Sequence, residues 1–99
     1  MVREDMIREI AKDTGLSGYT ASLVIESFLK NITFALSKGD KVQFAGFGTF
    51  ESKKRAARTG RNPLIGQAVH IPERFMPVFT PGTKLKNAVT ESKVLKSRI

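Results

Sequence analysis

The chain has no cysteine and no tryptophan, and only one tyrosine and one histidine. Without cysteine, neither disulfides nor thiolate metal sites are available. The single histidine, His70, has no nucleophile, base or metal-ligand partner at a useful spacing, so the chain reads as a non-enzyme that needs no cofactor. No apolar run approaches the roughly 20 residues of a membrane helix. The N-terminus lacks the charged-then-apolar leader of a secreted protein. These absences fit a cytoplasmic protein with no membrane partner and no small-molecule substrate. Acidic residues are scarce in one half only. Residues 1–50 carry six cations against six acids, whereas residues 51–99 carry eleven against three, so the whole net charge of +8 lies in the second half. Cations spread for solubility alone are interspersed with acids. A segregated block points to an anionic partner, a nucleic acid or a membrane surface.

What is present begins with two helices. Met6, Ile7, Ile10 and Ala11 share a face, Glu4 and Asp5 suit a first turn, and Gly15 is a C-terminal stop. No strong cap precedes that first turn. Ser17 is a good N-cap for a second helix. Its apolar stripe runs through Ala21, Val24, Ile25, Phe28, Leu29, Ile32, Ala35 and Leu36, and Lys38-Gly39 closes it. Lys41 to Phe44 starts a strand, Gly46-Phe47-Gly48 is a tight turn, and Thr49-Phe50-Glu51 resumes extended structure. Pro72 and Pro77 mark the returning strand, from Gln67 onward, as an edge or bulged strand. Thr80 and Pro81 read as the N-cap and first position of a last helix, with Leu85, Ala88, Val89, Ser92, Leu95 and Ile99 on its packed face.

Between the strands lies Lys53-Lys54-Arg55-Ala56-Ala57-Arg58-Thr59-Gly60-Arg61-Asn62-Pro63, with five cations and no acid. It reads as a charged β-ribbon with a proline at its tip. From Ser52 to Pro63 such a ribbon reaches roughly 35 Å at about 3.3 Å per residue. Alternation sends Lys53 and Arg55 to one face and Lys54 and Arg58 to the other. The ribbon suits duplex DNA, whose phosphates give affinity without sequence information. An RNA-binding module displays aromatics for base stacking, and residues 52–71 contain none. A membrane-surface helix is basic and strongly amphipathic, which only the C-terminal helix faintly matches.

Removing an arm of about residues 52–76 leaves too small a body to be stable alone without staples. Yet six of the seven phenylalanines (28, 34, 44, 47, 50 and 79) lie in that body. Surplus aromatic surface predicts a two-fold dimer, with Phe28, Phe44, Phe47, Phe50 and Phe79 in its core. A well-packed monomer is the alternative.

These residues resemble a known pattern. Gly46-Phe47-Gly48-Thr49-Phe50, Arg55-Ala56-Ala57-Arg58, Gly60-Arg61-Asn62-Pro63, Gly66 and Pro81-Gly82 with Leu85-Lys86 look like the bacterial HU / integration host factor family, as do Thr14-Gly15-Leu16-Ser17 and Lys38 to Gln43. The likeness runs from residue 1 to about 90. It implies an α+β fold: a helical base, a three-stranded antiparallel sheet extended into a β-ribbon arm, and an intertwined homodimer. The chain is then a single domain, 1–99. Residues 1–39 form the helical dimerisation region, 40–80 the sheet with its arm, and 81–99 the C-terminal helix. The implied function is architectural: binding duplex DNA through the minor groove with little sequence specificity, and bending or compacting it in the nucleoid. The DNA-binding residues would be Lys53, Lys54, Arg55, Arg58, Arg61, Asn62, Pro63, Arg74, Lys84 and Lys86, with Pro63 intercalating. This family is itself a standing example of proline wedging. A sequence-selective bender acting with a related partner chain is the second reading. Leu64-Ile65, where polar residues are common in the family, makes the tip more apolar, to strengthen wedging or to contact another protein; the extension over residues 91–99, with Lys93, Lys96 and Arg98, either lengthens the phosphate track or is a frayed helix end.

Overall fold

The computed structural model describes residues 1–61, 64 and 66–98. Its elements are α1 (Arg3–Thr14), α2 (Gly18–Ser37), β1 (Val42–Phe44), β2 (Gly48–Arg55), β3 (Arg58–Arg61), β4 (Ala68–Ile71), β5 (Arg74–Pro81), α3 (Thr83–Thr90) and α4 (Lys93–Lys96). The chain is α+β, and it divides into two compact units, Met1–Ala35 and Leu36–Ile99.

In the first unit both helices start and stop as their sequences dictate. Val2 has no side-chain acceptor to offer the first turn of α1. Instead Asp5 reaches back, its Oδ2 accepting from the Val2 N–H at 2.8 Å. That is one half of a capping box, with an acid at the positive end of the helix. Gly15 ends α1 in the left-handed conformation, φ 76°, and its N–H donates to the Ala11 carbonyl at 2.9 Å. Ser17 Oγ accepts from the Thr20 N–H at 3.1 Å and so caps α2. The apolar stripe of α2 is only partly covered: Val24, Phe28 and Leu29 are exposed, Ile25, Ile32, Ala35 and Leu36 are half-buried, and Leu23 and Phe34, beside the stripe, are exposed. Among the described residues, Ala21 alone is a buried apolar residue.

The second unit is organised by β2. It pairs antiparallel with β1, through Val42↔Phe50 and Phe44↔Gly48, and with β5 from Gly48↔Pro81 to Arg55↔Arg74. The sheet order β1-β2-β5 makes β5 an edge strand, which accommodates Pro77 and Pro81. Phe50 and Phe79 face each other across the ladder, with ring centroids 4.7 Å apart. Phe47 joins Phe79 at 5.8 Å and Phe44 meets Phe50 edge-on at 6.5 Å. This cluster is half covered; Phe47 is still 49% exposed.

The turn at Gly46 ties α3 to the sheet. Gly46 takes φ 83°, and the Phe47 N–H donates to the Phe44 carbonyl at 3.0 Å. The Gly82 N–H then donates to the Phe47 carbonyl at 2.7 Å and the Leu85 N–H to the Gly46 carbonyl at 3.2 Å. Backbone carbonyls therefore satisfy helix-start donors that a side chain usually serves. This corrects the expected start of the last helix. Gly82 is the N-cap, while Thr80 and Pro81 remain in β5, held opposite Thr49 and Gly48. A second correction concerns its length. The helix breaks after Thr90, and Ser92 caps the short α4, its Oγ accepting from the Leu95 N–H at 3.3 Å. A serine hydroxyl that satisfies a backbone donor competes with helix continuation. The expected single packed face through Leu85, Ser92 and Leu95 is thus interrupted, and its last member, Ile99, lies outside the described residues.

The Gly46–Gly82 approach makes a specific prediction. A Cβ on Gly82 would stand 2.6 Å from the Gly46 carbonyl oxygen, a contact with backbone that cannot rotate away. Gly82→Ala is expected to destabilise by about 2 kcal/mol, lowering the melting temperature by on the order of 10 °C. Gly18→Ala, with nothing near its added Cβ and a helical position to favour it, serves as the control and leaves the melt unchanged or raised.

Candidate nucleic-acid interface

The ladder between β2 and β5 decides which arm side chains share a face, because directly opposed residues point the same way. Phe50/Phe79, Ser52/Pro77 and Lys54/Phe75 lie on one face. Glu51/Val78, Lys53/Met76 and Arg55/Arg74 lie on the other. Ser52 Oγ fixes the root of the ribbon, donating to the Leu36 carbonyl at 2.6 Å. Lys53, Arg55 and Arg74 are therefore gathered on the face opposite the aromatic cluster, as the Lys53/Arg55 alternation anticipates.

The ribbon is not continuous. The ladder stops at Arg55↔Arg74 and resumes at Arg58↔Ile71, in a separate two-stranded sheet of β3 and β4. Ala56-Ala57 and Pro72-Glu73 form the gap. Pro72 cannot donate to a ladder, so pairing fails there for a covalent reason. The alternation that links Lys54 to Arg58 does not carry across this joint. Beside it Arg55, Arg58 and Arg74, with Met76 and Val78, line a concavity of about 550 Å³. Beyond it, Ile71 lies over Gly60, where a Cβ would meet Ile71 Cδ1 at 2.9 Å. Ile71, Val69 and Arg58 share that face, and Thr59, Arg61 and His70 share the other.

The cations fall into two groups. The lysines at the arm's root are paired. Lys53 Nζ lies 3.3 Å and Lys41 Nζ 3.4 Å from the two oxygens of Glu51, and Lys54 Nζ lies 3.1 Å from Glu73. The Lys53 hydrogen bond, joined by that of Lys41 and the charge of both, holds the Glu51 carboxyl below its ordinary 4.5, against a smaller opposing effect of burial. The arginines are different. Among the described residues, Arg55, Arg58, Arg61 and Arg74 have no acid within ion-pairing distance. Guanidinium groups suit phosphate geometry because they donate in a planar fork. Lys84 and Lys86 are exposed on α3, and the Lys84 stem lies against Gly46. Asn62 and Pro63 lie outside the described residues.

Two features are not evident from the sequence. The joint at Pro72 is readable as a ladder gap only with the register in hand. Phe75, the seventh phenylalanine, stands on the arm beside Lys54 and is 70% exposed. Its period-two spacing with Pro77 and Phe79 is the available signal. Among the described residues no cluster of three or more His, Cys, Asp or Glu is placed to hold a metal ion, and no helix is long and apolar enough to cross a membrane.

A family model described as bacterial DNA-binding protein matches residues 1–90. The chain belongs to this HU family of bacterial DNA-binding proteins. Among HU proteins, it is 46% identical over 89 residues to DNA-binding protein HU of Geobacillus stearothermophilus, covering 90% of this chain and 99% of that one. The HU of Thermotoga maritima is 44% identical over 89 residues, with the same shares covered. A cocrystal structure of Anabaena HU with DNA superposes with a TM-score of 0.85 at 34% identity, covering 93% of this chain and all of that one. A solution structure of a mutant of transcription factor 1 matches at TM-score 0.67 and 36% identity over the whole of both chains, residues 91–99 included.

Glu51 offers a direct check on this HU-type arm. Its lowered pKa means that its ion pairs are present above about pH 4.5 and are lost as pH falls through the lowered value. Lys53→Gln removes the largest cause, so the Glu51 carboxyl is expected to titrate closer to 4.5, as followed by carbonyl-carbon NMR.

Proposed function

We propose that this chain is an architectural DNA-binding protein: a homodimer whose two arms enter the minor groove of duplex DNA and bend it with little sequence preference. One observation carries the reading. A cationic ribbon bears four arginines that, among the described residues, have no acidic partner, and it belongs to a fold that matches HU in complex with DNA. Arg55, Arg58, Arg61 and Arg74 grip phosphates from the arm, Lys53 and Lys54 exchange Glu51 and Glu73 for phosphate, and Lys84 and Lys86 extend the track along α3. Exposed ion pairs are weak, so that exchange costs little. Asn62 and Pro63 act at the tip, with Pro63 intercalating as the family's wedge.

Burial supports the homodimer. No large side chain in the described chain is fully buried, while Phe28, Phe34, Phe44, Phe47 and Phe79 are exposed. A second copy covering the α2 stripe and the aromatic cluster supplies the missing core, with residues 1–39 as the dimerisation region. DNA binding in the bacterial nucleoid is the role this reading assigns, and the DNA-binding names of the relatives support it.

Binding to random-sequence duplex is expected to weaken steeply with salt. About eight arginine–phosphate contacts from a dimer alone give a log–log slope near −7, at roughly 0.9 per contact, and each lysine contact steepens it further, measured by anisotropy between low and moderate salt. A flat salt dependence would remove the phosphate grip. Pro63→Ala is expected to keep most of the affinity and lose much of the bending in an end-to-end energy-transfer assay. Unchanged bending removes its wedge role.

A further inference from the structure

Leu64 stands in the turn between β3 and β4, at the far end of the arm, and is 92% exposed. Among the described residues no large apolar side chain is more exposed. Leaving a leucine in water forgoes the favourable burial that apolar surface otherwise gains. Other large apolar residues of the β3–β4 ribbon are better covered: Ile71 folds over Gly60, and Val69 is 43% exposed. The nearest described cations on the incoming strand are Arg58 and Arg61, each without an acidic partner. An apolar group carried at the end of a charged strand is delivered wherever those charges are drawn.

We propose that Leu64 is a second apolar wedge, inserted beside Pro63 at a base step of the bound duplex. This rests on the reading that the arm tip enters the groove. Three considerations favour a base step over another occupant. A protein-docking patch needs several hundred Å² of contiguous surface, which one leucine does not provide. The guanidinium groups behind it attract phosphate and repel a basic partner. Leucine is among the side chains able to part stacked bases in bent minor-groove complexes. Once a step is opened, the bases expose apolar faces, and the branched Leu64 side chain covers them in place of the neighbouring base. The wedge of this chain is then broader than a proline alone, so the opened step and the bend are larger.

The test uses the full-length protein with a duplex that carries 2-aminopurine, whose fluorescence rises on unstacking, and a donor–acceptor pair at its ends. Leu64→Gln, Leu64→Met and Pro63→Ala are compared with wild type at saturating protein, after melting curves show all four equally folded. The expected result is a rise in fluorescence and end-to-end shortening for wild type. Leu64→Gln loses at least half of both signals and binds up to about tenfold more weakly, the effect of no longer burying one leucine against the bases. Leu64→Met retains both signals. If Leu64→Gln matches wild type while Pro63→Ala loses the signals, Leu64 is no wedge and the groove-entry reading stands. If wild type gives neither unstacking nor shortening, groove entry itself fails and Leu64 falls with it.

Discussion

Apolar surface that one copy of the chain cannot bury is the constraint from which the rest follows. Val24, Phe28 and Leu29 of α2 are exposed, and the cluster of Phe44, Phe47, Phe50 and Phe79 is only half covered. A chain of 99 residues with no disulfide has little else to stabilise it. Packing against a second copy, as proposed above, answers that need. It also frees the arm. Residues that contribute nothing to a core are at liberty to be arginine and lysine.

Charge on the arm is graded rather than uniform. At the root, Glu51 and Glu73 partner Lys41, Lys53 and Lys54, which holds the lysines in place and tempers the repulsion between cations on neighbouring strands. At the joint and beyond it the arginines have no such partners among the described residues. The distal part thus presents the strongest attraction to an anion. The gap at Pro72 separates these regions mechanically, because β3 and β4 form their own two-stranded sheet.

Much of this is legible in the sequence, for local reasons. Gly15, Ser17, Gly39 and Gly46 act through their own backbone or side chain, so their roles read directly from their identities. The charge asymmetry and the period-two pattern through Lys53 and Arg55 are equally local. What is not legible depends on pairing across the chain. Thr80-Pro81 has the form of a helix start, yet the ladder to Thr49 and Gly48 keeps it in the sheet, and carbonyls of the Gly46 turn cap α3 instead. Ser92 fits a helical face by spacing, but its hydroxyl serves a backbone donor and ends the run. Glu51 reads as an ordinary strand acid until the fold brings Lys41 and Lys53 to its two oxygens.

The central claim is that two copies act on one duplex, each supplying an arm. It is tested most directly by stoichiometry of bending. A short duplex labelled at both ends is titrated with the full chain at a concentration well above the dissociation constant, while native mass spectrometry counts the chains bound. The account predicts that the ends approach one another and that the change saturates at two chains per duplex, with no singly bound species that is bent. A duplex that stays straight, or one bent fully by a single chain, would contradict it.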